Sequence, residues 1–214
     1  SATNENQQTP FQLGTKSSIK LLLEFISNQR ASDKDQNTPL HLEVIGKCDF
    51  GVIKLMLEHS EDVKSLVNAV NENQQTPLHL ACKKGNNNVT KLLLEKSSCV
   101  RAVDKDMNTP LHLALAHSGD LDTVKLLLQH SEDVKSLVNA VNENQETALH
   151  LAVNKKSSEV VKLLVENFSN SNAFDKNKIH LEINGKCDFS VIKLMLEHSE
   201  DVKSLVNAVN ENQQ

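Results

Sequence analysis

The chain contains no tryptophan and no tyrosine, and aromatic residues make up only 3% of its 214 positions. Interface hot spots are enriched in Trp, Tyr and Arg. Any contact surface here therefore rests on hydrogen bonds and aliphatic groups, with modest affinity over a long footprint. No Lys/Arg-rich run occurs, and the net charge is -5 with a pI near 6.0. The electrostatic footprint of a nucleic-acid or anionic-membrane binder is thus missing. The longest apolar stretch, "IKLLLEFI", is too short and too charged to insert into a bilayer. No signal-peptide pattern opens the chain. Catalytic phrases are missing as well: no phosphate-cradling glycine loop, no HExxH, no CxxC and no nucleophile elbow. Carboxylates such as the adjacent Glu61 and Asp62 fall on faces expected to be solvated. The sequence predicts no enzyme, no catalytic residue, no metal ligand and no cofactor.

Repetition is what the sequence does contain. "HSEDVKSLVNAVNENQ" stands at 59–74, 130–145 and 198–213, and residues 47–75 and 186–214 differ only at Gly51 versus Ser190. Independent domains would not share this, so the chain reads as one array over 1–214. Short signposts mark the period: "TPFQL" at Thr9, "TPLHL" at Thr38, Thr76 and Thr109, "TALHL" at Thr147 and "NKIHL" at Asn177, spaced by 29, 38, 33, 38 and 30 residues. All four prolines lie in them (Pro10, Pro39, Pro77, Pro110). Proline suits the first helical turn, and threonine before it is an N-cap. A second apolar cluster, such as "VIKLML", follows each signpost with the broad face of a buried helix. Small polar turns separate the two helices, and a polar stretch ending in "DKDQN" or "NENQQ" follows the second. Neither helix can bury its face alone, so neighbouring units must stack into an all-α solenoid.

The segment "VNAVNENQQTPLHLACKKGNNNVTKLLLEK" resembles an ankyrin repeat, and the resemblance extends over nearly the whole chain in six copies starting near 9, 38, 76, 109, 147 and 177. It implies two antiparallel helices per repeat, a β-turn finger roughly perpendicular to them, and a concave face of fingers and first helices. Short and long repeats alternate: Leu94 to Thr109 spans fifteen residues, Leu57 to Thr76 nineteen. The four extra residues fall in "SEDVKSLV", where Ser60 and Ser131 are expected to cap an additional helical turn. The finger glycine usual in the family is replaced by Gln36, Gln74, Met107 and Gln145. A different turn type is expected, with Asn73 or Asn144 in the left-handed position. Helix one of the first repeat should be truncated, and the finger after repeat five has lost three residues.

Nine histidines invite a metal or catalytic reading. Five of them (His41, His79, His112, His150, His180) are the signpost histidine, which the resemblance implies braces adjacent fingers through backbone and threonine. His59, His130 and His198 end second helices, where a partly protonated ring suits the C-terminus. Of the four cysteines, Cys48 and Cys187 occupy equivalent places four repeats apart. At roughly 8–10 Å per helix layer they lie far beyond disulfide reach. Cys82 and Cys99 match no metal-ligand spacing. Reduced thiols, and a cytoplasmic location, are expected.

By resemblance, partners meet the finger positions four, three and one residues before the threonine and the first-helix exit. In repeat three these are Glu72, Asn73, Gln75, Lys83 and Lys84. Repeat four supplies Lys105, Asp106, Asn108, Ala116 and His117, and repeat five supplies Glu143, Asn144, Glu146, Asn154 and Lys155. The implied function is a scaffold that binds a protein or peptide, with no nucleic acid and no direct membrane insertion. Alternatives are a structural spacer or elastic arm cut from a longer array, and a hydroxylase substrate at Asn68, Asn139 or Asn207. The final helix pair repeats an internal one without polar rewriting, which predicts weak head-to-tail self-association.

Overall fold

A threonine followed by proline starts a helix because the amide lost to proline has no intrahelical partner. The computed structural model describes residues 32–46 and 49–169. Its first layer contains α1 (Pro39–Ile45), α2 (Phe50–His59) and a short α3 (Val63–Asn68). The second has α4 (Pro77–Lys84) and α5 (Asn87–Glu95). In the third, α6 (Pro110–Leu113) runs into a π turn over Ala114–Ser118, followed by α7 (Leu121–Gln129) and the short α8 (Val134–Asn139). The fourth has α9 (Ala148–Asn154) and α10 (Ser158–Ser169). Among the described residues there is no strand; the architecture is an all-α solenoid. The repeats starting near 9 and 177, the truncated first repeat, the shortened finger after repeat five, Cys48 and Cys187, and the final helix pair with its predicted self-association lie outside the described residues.

One apolar core runs through all the layers. Leu40, Leu78 and Leu111, each two residues after a threonine, are fully buried, and each such side chain contributes about 1.5–3 kcal/mol of transfer free energy. Ile53, Leu57, Leu93, Val124, Leu127, Val161 and Leu164 fill the second helices. Lys54, Lys91, Lys125 and Lys162 keep one edge of those helices in water.

The long repeats carry the expected extra helix, but its cap is not serine. Asp62 accepts from the Ser65 N–H at 2.9 Å and Asp133 from the Ser136 N–H at 2.9 Å. Ser60 lies two residues earlier in extended backbone, out of N-cap position. A carboxylate directly before the first turn answers both the free amides and the helix dipole. The short helix is tied to the next layer: Asn68 Nδ2 donates to the Ser97 carbonyl at 3.2 Å, and the Cys99 N–H donates to Asn68 Oδ1 at 2.8 Å.

The π turn has a simple origin. Thr76 to Gly85 and Thr147 to Lys156 each span nine residues, but Thr109 to Gly119 spans ten. All three end points are left-handed, with φ of 67°, 57° and 62°. The additional residue is absorbed inside the helix, and the Gly119 N–H donates to the carbonyl of Ala114, five residues back, at 2.8 Å.

Candidate interaction surface

Each finger is built by the Asp or Asn five residues before the threonine. Asp33 Oδ1 accepts from the N–H groups of Asp35 and Asn37 at 2.9 and 2.8 Å. Asn71 does the same for Asn73 and Gln75, both at 3.0 Å, and Asp104 for Asp106 and Asn108 at 3.0 and 2.8 Å. Four backbone turns close beneath them, with the Gln36, Gln74, Met107 and Gln145 N–H groups donating to Asp33, Asn71, Asp104 and Asn142. These same four residues take φ of 59–60°. The expectation that Asn73 or Asn144 would be left-handed is therefore corrected. The left-handed residue is the one after the turn, as in a three-residue loop with a bulge, and it stays there without glycine. Sequence reasoning passed over the anchoring Asp/Asn, although one recurs at every finger.

Neighbouring fingers are bonded into a row. The N–H groups of Glu72, Lys105 and Glu143 donate to the carbonyls of Asp35, Asn73 and Asp106 at 2.8, 3.0 and 2.9 Å. Side chains add a directional ladder. Asn37 gives its amide N–H to Asp33 (3.0 Å) and accepts at Oδ1 from Asn71 (2.9 Å). Gln75 donates to Asp104 at 3.4 Å, and Asn142 donates to Asn108 at 3.2 Å. Fingers of the Asp-x-Asp-x-Asn kind thus face forward with an acceptor, and the Asn-x-Asn-x-Gln finger faces forward with a donor.

Signpost histidines join fingers to helices. The Thr38, Thr76, Thr109 and Thr147 N–H groups donate to Nδ1 of His41, His79, His112 and His150 at 3.1–3.2 Å. Nε2 of the first three donates to the carbonyls of Gln75, Asn108 and Glu146 in the next finger at 2.8, 3.1 and 3.0 Å. Because Nδ1 is an acceptor, the ring is neutral, and burial lowers the proton affinity of His41, His79 and His112 below the ordinary histidine value. His59 and His130 each place Nδ1 at 2.9 Å from the carbonyl four residues earlier.

The predicted contact residues divide accordingly. Gln75, Asn108 and Glu146 are half-buried; the first two are committed to the following finger, and the Glu146 carboxylate accepts from Asn142 of its own finger at 3.1 Å. Glu72, Asn73, Lys105, Asp106, Glu143 and Asn144 are exposed, as are Lys83, Lys84, His117, Asn154 and Lys155, while Ala116 is half-buried. Lys84 is engaged, its Nζ donating to the carbonyls of Ile45 and, at 3.1 Å, Gly46. The left-handed fingertip residues Gln74, Met107 and Gln145 are also exposed, Met107 by 50%, and belong to the same surface. At the helix exits Lys83, His117 and Lys155 share one electrostatic neighbourhood. Partial burial, then the charges of Lys83 and Lys155, lower the proton affinity of His117. Gly85 admits this close stacking: a Cβ there would stand 2.9 Å from Cβ of Ser118.

A family model for ankyrin repeats (three copies) matches residues 44–138 and 103–180. The chain belongs to the ankyrin-repeat family. Ankyrin repeats generally mediate protein–protein interaction. The ankyrin array is 27% identical over 154 residues to the human transient receptor potential cation channel subfamily A member 1, covering 70% of this chain and 13% of that one. To human rabankyrin-5 it is 29% identical over 162 residues, covering 74% and 13%. The chain thus spans about an eighth of the length of these relatives. Among the described residues no helix is long and apolar enough to cross a membrane, and no three His, Cys, Asp or Glu side chains converge as metal ligands. Cys82 and Cys99 are free; burial pushes the Cys82 thiol up to about 12.

Proposed function

We propose that the array is a scaffold that binds a protein or peptide across its fingers and first-helix exits. The observation carrying this reading is the division of labour just described: the polar groups one residue before each threonine, and the signpost histidines, are spent on bracing, whereas their neighbours are left facing water on a fixed frame. A frame bonded finger to finger is pre-organised, which reduces the ordering cost of association. The absence of Trp and Tyr favours polar recognition over hot-spot anchoring. Free thiols at Cys82 and Cys99 fit a cytoplasmic setting, and ankyrin repeats are binding modules rather than typical enzymes. Affinity capture from native lysate tests the reading, comparing the chain with a Lys83→Glu, Asp106→Lys, His117→Glu variant checked for folding by circular dichroism. Proteins held by the first and lost by the second are expected. Identical capture by both would refute a concave-face site.

A spacer within a longer ankyrin array is the second reading. It is favoured by the bonds that join successive layers away from the fingers, those of Asn68 and the Arg101–Asp133 ion pair at 3.7 Å.

A further inference from the structure

Lys83, His117 and Lys155 stand exposed at the exits of three consecutive first helices. Among the described residues the Nζ of neither Lys83 nor Lys155 has an ion-pair or hydrogen-bond partner. The stripe sets a lysine charge on either side of an imidazole that offers a ring N–H, in a chain of net charge -5. We propose that it docks an acidic peptide segment whose carboxylates recur at every third residue, one each for Lys83, His117 and Lys155. The inference deepens the concave-face reading and rests on it.

Geometry sets the spacing. Packed helices of successive layers lie about 8–10 Å apart. A polyproline II chain rises about 3.1 Å per residue and returns to the same face after three, about 9 Å further on. An extended peptide of that form therefore presents a carboxylate to each layer in step. The opposite wall excludes bulk polyanions. Against the single lysine Lys105, Glu72, Asp106 and Glu143 are exposed on these fingers, so nucleic acid or an anionic bilayer, negative on every side, meets net repulsion there. A peptide can instead turn its carboxylates to the exits and its backbone or amide groups to Asn73 and Asn144.

Fluorescence anisotropy with the full chain tests this directly. The probes are labelled peptides of four Glu-Pro-Pro units, four Lys-Pro-Pro units, and the first composition with its glutamates contiguous. Binding is expected for the spaced acidic peptide, weaker by about tenfold for the contiguous one, and lost as salt rises toward molar, where the screening length falls to about 3 Å. A Lys83→Glu, Lys155→Glu variant, which removes two of the three contacts and reverses their charge, should bind at least about tenfold more weakly. Lys91→Glu, Lys162→Glu, an equal charge change at exposed second-helix positions, should bind as the parent does. Equal loss in that control, or equal binding of contiguous and spaced peptides, would overturn the proposal. Preference for the lysine peptide, abolished by the finger change Asp106→Lys, would overturn it while leaving the concave-face reading intact. No binding of any peptide would overturn it too, and the capture experiment alone would then decide the broader reading.

Discussion

At Gln36, Gln74, Met107, Gln145 and Lys156 a residue with a side chain occupies left-handed backbone, φ 57–60°. For an L-residue this costs about 1–2 kcal/mol. In the fingers the conformation is over-determined by the anchoring Asp or Asn and the turn bond beneath it. Lys156 has less support: it closes a helix exit at the place where Gly85 and Gly119 serve the two preceding layers. Lys156→Gly should therefore raise stability by about 0.5–1 kcal/mol, the gain being reduced by glycine's freedom in the unfolded chain. Urea denaturation reads this as a higher midpoint at unchanged slope, and a lower midpoint would mean that the left-handed turn carries no strain.

Among elements, the short helices of the long repeats separate a capping residue from a plausible neighbour. Asp62→Ala or Asp133→Ala should cost about 1 kcal/mol, whereas Ser60→Ala should stay within about 0.5 kcal/mol; denaturation of the three variants side by side checks the contrast, and the reverse order would restore serine as the cap. The helices themselves were legible in the sequence, because Thr-Pro steps and apolar faces are local signals. Placement of the cap was not, since all three residues of "SED" bear a hydroxyl or carboxylate and only the observed first turn decides among them. The π turn was hidden for a different reason. One residue more in "ALAHSG" than in "ACKKG" looks like a longer loop, and it becomes a helical bulge because Gly119 must end its layer in the same left-handed turn as Gly85. In the candidate surface, the exposed fingers and exits were legible by position. The commitment of Gln75, of Asn108 and of the Glu146 carbonyl was not, because their partners lie 29–34 residues away.

Across the whole molecule the buried histidines make stability depend on pH. His41, His79 and His112 have folded-state proton affinities below the ordinary value of 6.5. The unfolded chain binds more protons in that range, so stability rises with pH. The contribution is complete above about 6.5 and is lost as pH falls through and below it. Urea midpoints should accordingly drop between pH 7.5 and 5.5, with His79→Gln showing a smaller drop from a lower start; a flat profile would mean that the rings hold protons equally well in both states. The finger ladder bears on how such an array can grow. Asn37 and Asn108 point an acceptor onward and meet a donor in the following finger, whereas Gln75 points a donor onward and meets the acceptor of Asp104. Loss of the finger at 71–75 alone would bring Asn37, whose amide N–H is already given to Asp33, with its acceptor oxygen against the carboxylate of Asp104, whereas loss of the pair at 71–75 and 104–108 sets it against the donor of Asn142. An array that grows or shrinks by that pair keeps its donors and acceptors in step, and a shift by one finger leaves a fault at the join.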